Sequence, residues 1–163
     1  HSVAAATTSV WGERVGLYML KDFFPYRLAV TSAVFSRLLG DVYQRRFGLS
    51  RDEWRLLYLL GQAGEETSLD LGRNTSLDKV QVSRAADKLV RKGLIQRQSG
   101  PTDRRLRLYA CTPKGRSLFD EVHKLVETRA NAVLNEMSPE ERIALDHGLA
   151  ALRLATDRVA QGL

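Results

Sequence analysis

Apolar residues recur along this chain with a helical period almost throughout, and the rhythm changes once. Leu28, Val34, Phe35, Leu38 and Val42 share one side of a long stretch that opens at Phe23-Phe24-Pro25. It closes near Gly48, a residue suited to a helix C-terminus. Before it, behind a polar tail, Trp11 to Lys21 reads as a short helix. A further start is written at Leu49–Trp54, with Ser50 as cap, Glu53 as capping-box partner and Leu49 stapled onto Trp54. Trp54, Leu57, Tyr58 and Leu60 carry that amphipathic helix until Gly61 and Gly64 end it. Thr67 with Asp70 caps a short helix bearing Leu69 and Leu71, and Asp78 with Gln81 caps another. In this last helix Val82, Ala85, Ala86, Leu89 and Val90 fall at i, i+3, i+4, i+7 and i+8, an apolar stripe that Gly93 ends.

The period then shortens to two. Leu106, Leu108 and Ala110 alternate with Arg105, Arg107 and Tyr109, the pattern of a half-buried strand with the second set outward. Ile95 to Gln98 can pair with it across the turn residues Ser99-Gly100-Pro101-Thr102-Asp103, giving a two-stranded ribbon with a basic tip. Thr112-Pro113 reopens a helical pattern, which Leu118, Val122, Leu125, Val126, Val133 and Met137 carry for about seven turns. Ser138-Pro139-Glu140-Glu141 restarts the chain with a capping box, and Ile143, Leu145, Leu149, Leu152 and Val159 mark the last helix.

The fold class is therefore mainly α: a winged helix-turn-helix with long N- and C-terminal dimerisation helices and a two-stranded β wing. The chain divides into a tail and dimerisation helix (1–48), the winged helix-turn-helix lobe (49–111) and C-terminal dimerisation helices (112–163), forming one compact unit. The long helices carry more apolar surface than a monomer of this size covers, so a homodimer is expected.

Composition narrows the function. No run of eighteen apolar residues spans a membrane, and the first residues lack the pattern of a secretion signal. A single cysteine, Cys111, excludes an internal disulfide framework, and a cytoplasmic location is expected. The net charge is +6. Between Arg73 and Arg107 there are ten Lys and Arg against three Asp, a local balance of +7, so the remainder of the chain is close to neutral. An excess confined to one stretch is the footprint of a nucleic-acid partner rather than of general solubility.

Helix, turn, capped helix and basic ribbon within about forty residues place the second helix in the major groove of double-stranded DNA. With Val82, Ala86 and Leu89 inward, Val80, Arg84, Asp87 and Arg91 face outward, flanked by Gln81 and Lys88. Val80, Gln81 and Arg84 are the base-reading candidates. Valine can touch a thymine methyl, glutamine can pair with adenine and arginine with guanine. Lys79, Ser83 and Lys88 are the phosphate candidates, which hold register without reading sequence. The competing class is a non-regulatory winged-helix module, either nucleoid-type or protein-docking; Arg84 and Arg105 discriminate, since a docking module has no need of arginines placed for both grooves.

Leu77-Asp78-Lys79-Val80-Gln81-Val82-Ser83-Arg84, followed by Leu89-Val90-Arg91-Lys92-Gly93-Leu94-Ile95, resembles the MarR family of regulators. Asp103-Arg104-Arg105 is similar to that family's wing signature, Thr112-Pro113-Lys114-Gly115 to the start of its fifth helix, and Phe24-Pro25-Tyr26-Arg27-Leu28 to the first-helix opening of some members. The resemblance covers about residues 23–160. It implies a homodimer on a palindromic operator, repression of transcription, and release by a small aromatic or other anionic effector. It also implies that Asp103 orients an arginine and that Arg105 enters the minor groove, where a narrow A·T-rich tract concentrates negative potential. Arg104 and Arg107 complete the wing set. Two positions depart from the family pattern: Cys111 stands where leucine is more usual, and Gly72 where a helix former such as alanine is usual. Redox-sensing members carry a cysteine near the N-terminus; Cys111, on a strand end, reads as a small buried hydrophobe instead.

For the effector, Tyr26, Arg27, Trp54 and Tyr58 form an aromatic-basic set able to stack on a ring and neutralise a carboxylate. An aromatic acid or its thioester is the first choice of ligand. No cofactor is implied. His123 with Glu127, and Asp146 beside His147, come without a second ligand set or a nucleophile, so neither a catalytic nor a metal role is expected.

Overall fold

A computed structural model describes residues 23–99 and 107–162, which fall into two units divided between Ser50 and Arg51. The expected helix over Trp11–Lys21 lies outside the described residues, as does the wing tip with Asp103, Arg104, Arg105 and Leu106.

Among the described residues the first unit holds one helix, α1 (Phe24–Phe47), with Pro25 in its first turn, where a missing N–H costs little. Gly48 ends it at φ 64°, a left-handed conformation that glycine adopts without penalty. The Gly48 and Leu49 amides then donate to the carbonyls of Gln44 and Tyr43, each at 3.0 Å.

The second unit runs α2 (Arg51–Ala63), β1 (Glu65–Thr67), α3 (Ser68–Thr75), α4 (Lys79–Arg91), β2 (Ile95–Ser99), β3 (Arg107–Cys111), α5 (Pro113–Leu134) and α6 (Pro139–Gln161). Its core is built from the apolar stripes of α2 to α5: Leu56, Leu57, Leu60, Leu71, Ala86, Leu89 and Val122 are wholly shielded from solvent. Each buried leucine contributes about 2 kcal/mol relative to an exposed one.

The chain departs from sequence expectation at four points. Gly61 does not end α2. The helix runs through it to Ala63 and stops at Gly64, whose φ is 83°. Gly61 is needed for proximity instead: a Cβ there would come within 2.5 Å of the Phe119 ring. The ribbon is also not two-stranded. Glu65–Thr67 adds a short antiparallel strand on the far side of β3, in the order β1-β3-β2, with Glu66 opposite Tyr109. β3 is paired along both edges and also packs against α2, α3 and α5, and the expected alternation fails there. Tyr109 was expected outward yet is only 1% exposed, and Ala110 is buried beside it. Finally, α5 ends at Leu134, short of Met137, and Ser138 opens α6 through a reciprocal capping box with Glu141 at 3.1 and 2.8 Å.

The start of α5 is clamped to the turn that follows α4. Gly93, at φ 72°, and Leu94 present carbonyls to it. Thr112 donates its hydroxyl to Gly93 O at 2.6 Å and its amide to Leu94 O at 3.1 Å. The same hydroxyl oxygen caps α5 by accepting from Gly115 N. Gly115 sits so close to Leu94 that a Cβ would fall 1.8 Å from the Leu94 carbonyl oxygen. The Thr-Pro-Lys-Gly sequence is thus a joint between ribbon and helix.

Candidate nucleic-acid interface

Two consecutive local caps set the helix-turn-helix. Thr67 Oγ1 accepts from the Asp70 amide at 3.2 Å, which starts α3. The turn out of α3 is drawn tight by Thr75, whose hydroxyl donates to Leu71 O at 2.5 Å and accepts from Leu77 N at 3.4 Å. Ser76 takes the left-handed conformation at φ 59° that this turn requires. Asp78 then caps α4 in a full capping box: Gln81 N donates to Asp78 Oδ1 at 2.8 Å, and Asp78 N donates to Gln81 Oε1 at 3.0 Å. Each bond satisfies a helix-end donor that would otherwise lack a partner.

This start fixes which side chains α4 turns inward. Val82, Ala85, Ala86 and Leu89 are buried, with Val90 at the edge. Lys79, Val80, Gln81, Arg84, Lys88 and Arg91 are exposed. Val80 is 56% exposed, an apolar side chain left in water on a basic face. The other end of α4 is anchored by an ion pair. Lys92 Nζ lies 2.5 Å from the Glu53 carboxylate of α2, which is only 3% exposed. Lys114 Nζ donates to the Lys92 carbonyl at 3.0 Å.

Beside the exposed face of α4 lies an open cleft of about 720 Å³ between α3, α4 and β3. Arg73, Lys79 and Arg107 place three cations on it, Ser68 and Ser83 two hydroxyls, and Tyr109 contributes to its lining. Three of the residues singled out from the sequence, Lys79, Ser83 and Arg107, therefore converge on one concavity. Ser68 and Arg73 join them and were not anticipated. The available signal was that Ser68, Leu69, Gly72 and Arg73 share one helical face of α3, and that Arg73 opens the basic stretch.

The effector set divides. Tyr26 and Arg27 lie in the first turn of α1, in the first unit. Trp54 and Tyr58 lie in the second, inside an aromatic cluster. Trp54, 8% exposed, stacks on Phe119 with ring centres 6.1 Å apart; Tyr58, 39% exposed, lies 5.7 Å from His123, which itself stacks on Phe119 at 5.2 Å. His123, weighed from the sequence only as a ligand or catalyst, is a ring in this cluster. Cys111 is partly buried, and burial pushes its thiol above the ordinary cysteine range, against a smaller opposing pull from Arg116.

Comparison with known proteins agrees with this architecture. A sequence model of the MarR family matches residues 47–106. YdgJ of Bacillus subtilis, an uncharacterized HTH-type transcriptional regulator, is 30% identical over 118 residues, which is 72% of each chain. Among solved structures, BpsR of Bordetella bronchiseptica, whose DNA binding is described as regulated by 6-hydroxynicotinic acid, superposes with a TM-score of 0.75 at 22% identity, covering 85% of this chain and 98% of that one. An E. coli MarR mutant complexed with operator DNA superposes with a TM-score of 0.74 at 22% identity, covering 84% and 98%. The chain belongs to the MarR family and is a DNA-binding transcriptional regulator built on a winged helix.

Proposed function

We propose that α4 enters the major groove of a palindromic operator, while the cleft beside it grips the phosphate backbone, with two copies of the chain acting as a homodimer. The observation that carries this reading is the convergence of Arg73, Lys79 and Arg107 with Ser68 and Ser83 on one concavity next to the exposed Val80–Arg84 face. Charges and hydroxyls of this kind bind phosphate and set register, while Val80 and Arg84 reach base edges. Lys88, exposed one turn beyond Arg84, adds a phosphate contact. Asp103, Arg104 and Arg105 keep in this proposal the minor-groove role that the family resemblance implies.

Gln81 takes a modified role. Its Oε1 already accepts from Asp78 N, so a two-bond contact with adenine would require opening the cap. The arrangement favours Gln81 as the residue that aims α4, with its amide N–H groups left to meet DNA.

In this reading the protein is a repressor released by a small aromatic or other anionic effector. The partly exposed ring cluster Trp54–Tyr58–Phe119–His123 supports an aromatic ligand. A regulated relative of this fold, BpsR, responds to a hydroxylated aromatic acid of that class.

The test is a salt titration of binding to a duplex selected by the native chain from a randomised pool. Affinity should fall steeply with salt, because neutralising phosphates releases counterions. Arg73→Ala, Lys79→Ala and Arg107→Ala should each reduce the slope of log K against log salt by about one. Arg84→Ala should relax base preference as well. Affinity indifferent to salt, or unchanged in all four variants, would refute the interface.

A further inference from the structure

One exposed acid stands on the basic face of α4. Asp87 was expected to point outward from the DNA-facing helix, where a carboxylate beside phosphates is repelled. It does not face solvent alone: Arg97 of β2 forms an ion pair with it through Nη2 and Oδ1. The same guanidinium lies over the ring of Tyr109, 5.8 Å from its centre. Tyr109 is the cross-strand partner of Arg97 in the β2–β3 register and is buried. On the helix side, Arg91 Nε donates to the Asp87 backbone carbonyl at 3.4 Å. Asp87, Val90, Arg91 and Arg97 together line a shallow concavity between helix and ribbon.

We propose that Asp87 and Arg97 form a clasp that sets the angle of the wing against α4, which makes both of them positioning residues for DNA binding. The pair is neutral, so Asp87 does not repel the backbone, and Arg97 is held by the helix and by Tyr109 rather than by phosphate. The ribbon beyond Arg97 carries the wing, so a loose clasp lets the two reading elements move independently. The proposal rests on the reading of α4 and the wing as the DNA-facing surface.

Three variants test it against the selected duplex: Asp87→Asn, Arg97→Gln, and the exchange Asp87→Arg with Arg97→Asp. Removing a negative charge from a DNA-facing helix would by itself tighten binding. The clasp predicts the opposite: affinity two- to five-fold weaker for each single variant, the range expected of an exposed ion pair. The salt slope of Arg97→Gln should equal that of the native chain, and the exchanged pair should recover affinity to within about twofold, since the attraction is retained with its poles reversed. Amide hydrogen exchange on the free protein gives a second reading. The amides of β2 and β3 should exchange faster in both single variants and return toward the native rate in the exchanged pair. Tighter binding by Asp87→Asn with native exchange rates would overturn the clasp. So would a slope lower by about one in Arg97→Gln without recovery in the exchange, which would make Arg97 a phosphate contact. The exchange measurement needs no DNA, so failure of the native chain to bind any duplex would sink the interface while leaving the clasp to be judged on its own.

Discussion

At the scale of single residues, two glycines of this chain give opposite expectations for the same substitution. Gly115→Ala should destabilise the protein severely, because its new methyl would overlap the Leu94 carbonyl oxygen, a backbone atom already held by the Thr112 amide. A loss of about 3 kcal/mol or more in denaturant unfolding is expected, in the range of severe overpacking. Gly72→Ala should do the reverse. The Cβ there would meet Leu77 O at 3.4 Å and Val82 Cγ2 at 3.9 Å, ordinary contacts, while α3 gains about 0.5–1 kcal/mol of helix propensity. A destabilised Gly72→Ala protein would mean that α3 and α4 are packed more tightly than those distances imply. Cys111 yields a third expectation. Burial raises its thiol pKa, so at neutral pH its thiolate fraction is below that of an exposed cysteine, and alkylation should be slow in the native state and ordinary once denatured. Rapid labelling of the native protein at pH 7 would contradict that environment. The sequence already pointed to a structural cysteine. It did not reveal why the Thr-Pro-Lys-Gly motif ends in glycine, because the Leu94 carbonyl that excludes a side chain lies twenty-one residues earlier and meets it only in the folded chain.

At the scale of elements, what could be read in advance was what is decided locally. The caps of α3, α4 and α6 join residues three apart, so Thr67, Asp78 and Ser138 announce their helices without any knowledge of the tertiary fold. β1 was hidden because three residues carry no period, and its pairing partner is more than forty residues away. The inversion of Tyr109 has a tertiary cause as well: alternation predicts burial only when one face is solvated, and the helices that pack against β3 come from distant parts of the chain. The candidate site was legible in the same uneven way. Lys79, Ser83 and Arg84 followed from the phase of α4, while the cleft that adds Ser68 and Arg73 depends on how α3 lies against it. The capping box also lets aiming be separated from charge. Gln81→Glu keeps a residue able to accept from Asp78 N, so thermal stability should hold within about 0.5 kcal/mol. The carboxylate now faces phosphates, and operator affinity should drop about tenfold or more, at the scale of a like charge placed in an interface. Asp78→Ala should instead cost about 1 kcal/mol in stability, with a smaller loss of affinity. If Gln81→Glu unfolded the lobe, the cap would depend on the amide rather than on an acceptor oxygen alone.

At the scale of the whole molecule, the arithmetic of apolar surface governs. α6 spans twenty-three residues, yet none is buried, and Ile143, Leu145, Leu149, Leu154 and Val159 are all exposed. On α1, Val30, Val34 and Phe35 are likewise exposed. A helix in a protein draws most of its stability from packing an amphipathic face rather than from propensity. In the proposed homodimer a second copy of the chain is what covers those faces, and a symmetric pair would match a palindromic operator, whose half-sites recur one helical turn or a multiple of it apart. The expected outcome is a dimer by sedimentation at micromolar concentration, with a melting temperature that rises with protein concentration because folding and association are linked. Leu149→Asp combined with Leu154→Asp should shift the protein toward monomer and lower its melting temperature. Both residues are exposed in the single chain, so a monomeric fold would have no reason to respond. The lobe carrying α4 should stay folded in that variant and still bind DNA weakly, with about half the salt slope of the native protein, because one set of phosphate contacts replaces two. A native chain that sediments as a folded monomer, or a doubly substituted chain with an unchanged melting temperature and slope, would leave α6 without its assigned cover and the operator without its symmetry.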